Sequence, residues 1–64
     1  KQYIMTSAAY QWRIDHKYMV DDHDLGAAFV VYRMCNTGYW LDSVDRKEAI
    51  FMPTEAFKLM TEVE

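Results

Sequence analysis

Ala27-Ala28-Phe29-Val30-Val31-Tyr32-Arg33-Met34-Cys35-Asn36-Thr37-Gly38-Tyr39-Trp40-Leu41 is the stretch that decides how this chain folds. Phe29, Val30, Val31 and Tyr32 are consecutive β-formers, and an unbroken apolar run of this kind reads as a central strand covered on both faces. Asn36-Thr37-Gly38 has the length and terminal glycine of a three-residue hairpin loop, so Tyr39–Val44 is expected to return as the next strand. Tyr39, Trp40 and Leu41 are large apolar neighbours. Successive strand residues point to opposite faces, so at least one of them lies on the outer face of the sheet or under a partner.

Upstream of this hairpin, Tyr10, Trp12, Ile14, His16 and Tyr18 alternate with Gln11, Arg13, Asp15 and Lys17. That alternation predicts a half-buried strand. A helix competes over residues 8–19, because Tyr10, Ile14 and Tyr18 are spaced by four and Ser7-Ala8-Ala9 could open one; Trp12 falls off that stripe and favours the strand. Met5 is a candidate start residue, and Lys1–Ile4 receives no element. Asp21-Asp22-His23-Asp24 forms a polar loop before Leu25-Gly26.

Downstream, Asp45-Arg46-Lys47-Glu48 reads as a charged turn and Ala49–Met52 as a short strand. Pro53 ends it and opens a helix, with Glu55 complementing the positive end. Ala56, Phe57, Met60 and Val63 would form the buried stripe, with Glu55, Lys58 and Glu62 outward. The expected architecture is α+β: a small antiparallel β-meander of four to five strands with one C-terminal helix packed on one face, in a single domain over residues 1–64.

Composition narrows the function. The 64 residues carry ten aromatics and five Met against eleven Leu, Ile and Val, an excess of the flat and flexible side chains enriched at protein–protein contacts. The net charge of −3 argues against a phosphate-driven nucleic-acid binder, which carries a basic excess. No apolar stretch is long enough to span a bilayer and no basic-then-apolar leader pattern is read in the sequence, so a cytoplasmic protein without a membrane partner is expected. Cys35 is the one cysteine and excludes an internal disulfide; its apolar surroundings predict a small buried hydrophobe.

Catalytic and metal motifs are absent. No nucleophile elbow, zinc-protease or phosphate-loop pattern occurs, and a sheet of this size offers little cleft for paired carboxylates, so the expectation is a protein that is not an enzyme and has no cofactor. The acidic loop fails the calcium-loop pattern, because with Gly26 sixth the third and fifth places hold His23 and Leu25. His16, His23 and Asp24 are adequate transition-metal ligands, but two histidines seven apart without a cysteine pair read as solvated loop residues, and no metal site is assigned.

Leu25-Gly26-Ala27-Ala28-Phe29-Val30-Val31-Tyr32 resembles the central strand motif of RNA-recognition-motif domains at Gly26, Ala28, Phe29, Val30 and Tyr32. Leu25 stands where that family has a phosphate-binding base and Ala27 where it has a stacking aromatic, so half the motif's chemistry is missing. Val30-Val31-Tyr32-Arg33, with Pro53 and Phe57, also resembles small barrel-type bacterial and phage domains, which implies no particular activity.

The resulting expectation is a small non-enzymatic module that binds another protein as a stoichiometric regulator or inhibitor. Small acidic, aromatic-rich phage-encoded modulators of host or defence enzymes supply the analogy. Tyr39, Trp40, Trp12 and Tyr32 are the candidate contact residues, with Asp21, Asp22 and Asp24 as a charged rim, and a second copy of the chain is an alternative partner. The competing expectation is a sheet that binds single-stranded nucleic acid through Arg13, Lys17 and Arg33.

Overall fold

The computed structural model describes residues 1–64. The fold is α+β: five antiparallel strands and two helices, in the order β1 (Gln2–Ile4), α1 (Ser7–Asp15), β2 (Ala28–Cys35), β3 (Gly38–Ser43), β4 (Ala49–Pro53), α2 (Thr54–Phe57) and β5 (Thr61–Val63). A 3₁₀ turn at Asp22–Asp24 lies between α1 and β2. The strands are arranged β4-β3-β2-β1-β5 in one open sheet. The consecutive strands β1 to β4 are antiparallel neighbours in turn, with α1 inside the β1–β2 connection, and only β5 departs from that order. Gln2–Ile4, which received no element from sequence, is the strand β1, pairing with β2 on one side and β5 on the other.

Residues 10–18 are not a strand. Thr6 caps α1, its Oγ1 accepting the Ala9 N–H at 3.1 Å, and the same hydroxyl donates to the Leu59 carbonyl at 2.6 Å. The buried positions of α1 are Ala9 and Arg13, spaced by one turn. Alternation misled because the buried member at the helix centre is an arginine. The helix stops when Lys17 takes a left-handed conformation, φ 66°. The Lys17 N–H then bonds the Ile14 carbonyl and the Tyr18 N–H the Arg13 carbonyl, a Schellman arrangement with lysine in the position that favours glycine.

The expected C-terminal helix is also corrected. The longer helix of this fold is the N-terminal α1, and α2 is a single turn whose exit is held by 3₁₀-type bonds, Leu59 N–H to Ala56 and Met60 N–H to Phe57. Residues 61–63 instead complete β1, which would otherwise leave an open edge; Val63 is an exposed strand residue, not part of a helical stripe. Lys1 Nζ pairs with Glu62 Oε2 at 2.9 Å across that junction.

The loop before β3 has two residues, not three, since Cys35 pairs with Gly38. Gly38 is needed because β4 approaches closely: a Cβ there would lie 2.4 Å from the Met52 carbonyl oxygen and 2.8 Å from Pro53 Cα. The charged turn falls as expected between β3 and β4, closed by the Ser43 N–H to the Glu48 carbonyl at 2.9 Å and by Ser43 Oγ accepting from the Arg46 N–H at 3.1 Å. Met5, Ala9, Phe29, Leu41, Met52 and Ala56 form one fully buried cluster between the helices and the inner face of the sheet. No helix is long and apolar enough to cross a membrane.

Candidate functional site

Antiparallel partners share a face of the sheet, so the register sorts the side chains. Tyr3, Phe29 and Ser43 are in register, as are Val31, Leu41 and Ile50, and Tyr39 and Met52; these face the helices. Phe57 of α2 stacks on Tyr39 with ring centroids 4.0 Å apart and tilts against Tyr3 at 4.8 Å. Arg33, Trp40 and Phe51 align on the opposite face, with Val30 and Asp42 beside them. The helices leave that outer face uncovered.

The register slips between Val31 and Arg33, so Tyr32 is an extra residue on β2. A bulge re-aims side chains. Here Tyr32 and Arg33 both come beside Trp40, and the three line a shallow pocket of about 240 Å³. Tyr32 is 53% exposed and Trp40 36% exposed, and the Trp40 ring tilts against Phe51 at 5.1 Å.

This placement divides the residues expected from sequence. Trp40 and Tyr32 share the outer face. Tyr39 does not, because it packs inward on Phe57. Trp12 does not either: it sits on α1, stacked on His16 with centroids 3.8 Å apart. Arg33 joins Tyr32 and Trp40, whereas Arg13 is 5% exposed and Lys17 lies at the end of α1, so the basic trio is not one surface. Phe51 was missed. Its signal was the pairing of β4 with β3, which a single sequence does not register.

A second depression lies on the helix side of β4. Arg13, Met19, Val20, Asp21, Asp24, Glu48, Ala49 and Ile50 line this cleft of about 490 Å³, which shares no residue with the outer pocket. Asp21 and Asp24 therefore do not rim the aromatic surface; they wall the cleft, with Asp22 exposed beside them. Arg13 anchors it. Its Nη1 donates to the Phe51 carbonyl at 2.6 Å, its Nη2 donates to the Met19 carbonyl at 2.8 Å, and its guanidinium lies 5.4 Å from the Tyr18 ring centre. Its Nε–H is buried without an acceptor.

Burial pushes the Asp24 carboxyl above its ordinary pKa, the Asp21 and Glu48 carboxylates add to that, and Arg13 and His23 oppose it. Burial likewise lowers the Arg13 guanidinium. Cys35, expected to be buried, is exposed at the end of β2, where the Thr37 N–H draws its thiol below the ordinary value. His16 lies on Trp12, its Nδ1 2.9 Å from the Trp12 carbonyl oxygen, whereas His23 pairs with Asp21; the two histidines serve different neighbours. Comparison with protein families, with curated proteins and with solved structures returns no match.

Proposed function

We propose that the chain is a non-enzymatic protein-binding module whose outer sheet face docks on a larger protein and regulates it stoichiometrically. The observation that carries this reading is the exposed cluster of Tyr32, Arg33 and Trp40 around one shallow pocket, backed by Phe51. Aromatic residues and arginine dominate contact energies because they bury large areas with few rotors while keeping a polar handle. The pocket walls offer no nucleophile with an adjacent base, which favours binding over catalysis. A partner that fits presents an apolar side chain to Trp40 and a carboxylate to Arg33.

The test compares the wild-type chain with Trp40→Ala and Trp12→Ala as baits. A partner retained by wild type and Trp12→Ala but lost with Trp40→Ala supports the reading; the same proteins on all three baits refute it. Mass in solution separates a foreign partner from a second copy of the chain. Arg33 between two aromatics is also the makeup of a base-stacking platform, which favours single-stranded nucleic acid as the second reading. Tight oligonucleotide binding that weakens steeply with salt would select it.

A further inference from the structure

We propose that the free edge of β4 at Ala49 pairs with an extended, basic peptide segment of another protein, which joins the sheet as an added strand. β4 is the outermost strand on its side of the sheet. The Ser43 N–H bonds the Glu48 carbonyl at 2.9 Å, and the Thr54 N–H bonds the Thr37 carbonyl at 3.1 Å. Antiparallel ladders bond alternate pairs, so between those ends Leu41–Ile50 and Tyr39–Met52 carry the β3–β4 bonds, whereas Asp42–Ala49 and Trp40–Phe51 do not. Ala49 and Phe51 therefore turn their N–H and C=O groups away from β3. Arg13 marks that direction independently, since its Nη1 meets the Phe51 carbonyl at 2.6 Å.

Arg13 also limits the open edge. It occupies the Phe51 carbonyl and, through the Met19 carbonyl, holds the connection after α1 alongside β4. Ala49 is left free: it is exposed, and no turn, loop or side-chain hydrogen bond reaches its N–H or its carbonyl. Beside it the cleft of about 490 Å³ opens between residues 48–50 and residues 19–21. Unpaired backbone groups on an edge strand are the template onto which an extended peptide adds, and the cleft gives its side chains room.

The surroundings of the edge choose the peptide. A residue added opposite Ala49 shares its outward face, and the two residues flanking it fall beside Glu48 and Ile50, on the cleft side. Met19, which is 90% exposed, and Val20 offer apolar surface across from Ile50, so the flanking residue there is apolar. Asp21, Asp24 and Glu48 outnumber Arg13, whose two Nη groups are engaged on backbone carbonyls, so the residue beside Glu48 is lysine or arginine. The same charge turns away a second copy of the chain, because edge-to-edge pairing would bring two clefts of like sign together. Antiparallel pairing puts an apolar residue, a spacer and a basic residue in that order along the peptide. This surface shares no residue with the pocket of the outer face.

The experiment titrates the acetylated and amidated peptide Lys-Thr-Val-Thr-Lys into the isotope-labelled chain and follows its amide resonances. Saturable shifts centred on Ala49 and Ile50, with slowed exchange of the Ala49 amide proton, are expected. The peptide with both Lys replaced by Glu, and the peptide N-methylated at the second Thr, whose amide would face Ala49, are each expected to bind at least about tenfold more weakly. N-methylation at Val, whose amide points away from β4, leaves binding unchanged. Glu48→Lys, at an exposed position, weakens binding at least about threefold, whereas Glu55→Lys, exposed on α2, leaves it unchanged. Ala49→Pro removes an N–H that the β3–β4 ladder does not use and abolishes binding. No saturable shift at millimolar peptide overturns the proposal, as does equal binding of the Glu or Thr-methylated peptide, or binding that Glu48→Lys leaves intact. Shifts centred on Arg33 and Trp40 also overturn it, since they place the peptide on the outer face.

Discussion

Arg13 is where this fold is most open to a decisive perturbation. The residue is 5% exposed on the inward face of α1, yet its guanidinium reaches two backbone carbonyls, Phe51 on the edge strand β4 and Met19 in the connection after α1. Hydrogen bonds from a charged donor contribute about 1.5–3 kcal/mol each, so Arg13→Ala forfeits about 3–6 kcal/mol gross. Relief of the buried charge offsets part of this, and about 3 kcal/mol is the expected net loss, as when one partner of a buried charged network is removed. In a domain of this size each kcal/mol moves the melting temperature by about 4–8 °C, so a drop of about 12–24 °C is expected in a thermal melt. Asp24 supplies the cross-check, because Arg13 is the foremost positive charge opposing the effect of its burial. Asp24→Asn is expected to stabilise the wild-type chain slightly and the Arg13→Ala chain by about 1 kcal/mol more, a coupling that a double-mutant cycle reads directly. A loss below about 1 kcal/mol for Arg13→Ala, or an Asp24→Asn effect identical in both backgrounds, would refute the anchoring role.

Four further outcomes follow from local geometry. Lys17→Gly relieves a left-handed lysine at the end of α1 and is expected to raise stability by about 1 kcal/mol in chemical denaturation. Gly38→Ala drives a methyl into the Met52 carbonyl and the Pro53 backbone and is expected to unfold the chain or shift its midpoint by several kcal/mol, read by circular dichroism. Leu41→Ala empties the fully buried cluster and is expected to cost about 2–5 kcal/mol, whereas Trp40→Ala, one residue earlier on the outer face, is expected to cost about 1 kcal/mol or less. Cys35 is expected to alkylate faster than free cysteine near neutral pH, with a rate midpoint below the ordinary thiol value, because the Thr37 N–H stabilises the thiolate.

The hairpin was legible because every local signal agreed: β-formers from Phe29 to Tyr32, a short turn, and a returning apolar strand correspond to β2 and β3. That at least one of Tyr39, Trp40 and Leu41 faces outward was legible for the same reason, since period-two alternation forces it; which one was not, and Tyr39, expected on the contact surface with Trp40, packs inward on Phe57. The α1 region was not legible, because its alternating letters contain two competing periods and the deciding contacts are tertiary. Thr6 reaches Leu59 and Arg13 reaches Phe51, 53 and 38 residues away. Residues 61–63 were read as helix because Val63 falls on a helical stripe with Ala56 and Met60. What places them in a strand is β1, and β1 itself is three residues too short to announce. Glu48 beside Asp21 and His23 was invisible, since their proximity depends on where two separate connections meet.

The outer face carries more apolar surface than folding requires. The core cluster draws nothing from Tyr32, Trp40 or Phe51, and the two helices already cover the other side of the sheet. The cross-strand contact of Trp40 with Phe51 contributes up to about 1 kcal/mol, and a Thr–Val pair in the same register would supply a similar amount without exposing an indole. Solvent-facing sheets of small antiparallel domains are ordinarily polar for this reason. Trp40→Thr is therefore expected to keep the melting temperature within about 5 °C of wild type while abolishing partner capture, a separation of folding from binding that a structural role for Trp40 would not permit. A collapse in stability instead would show that β3 and β4 depend on the indole, and the outer face would then be explained by the sheet alone.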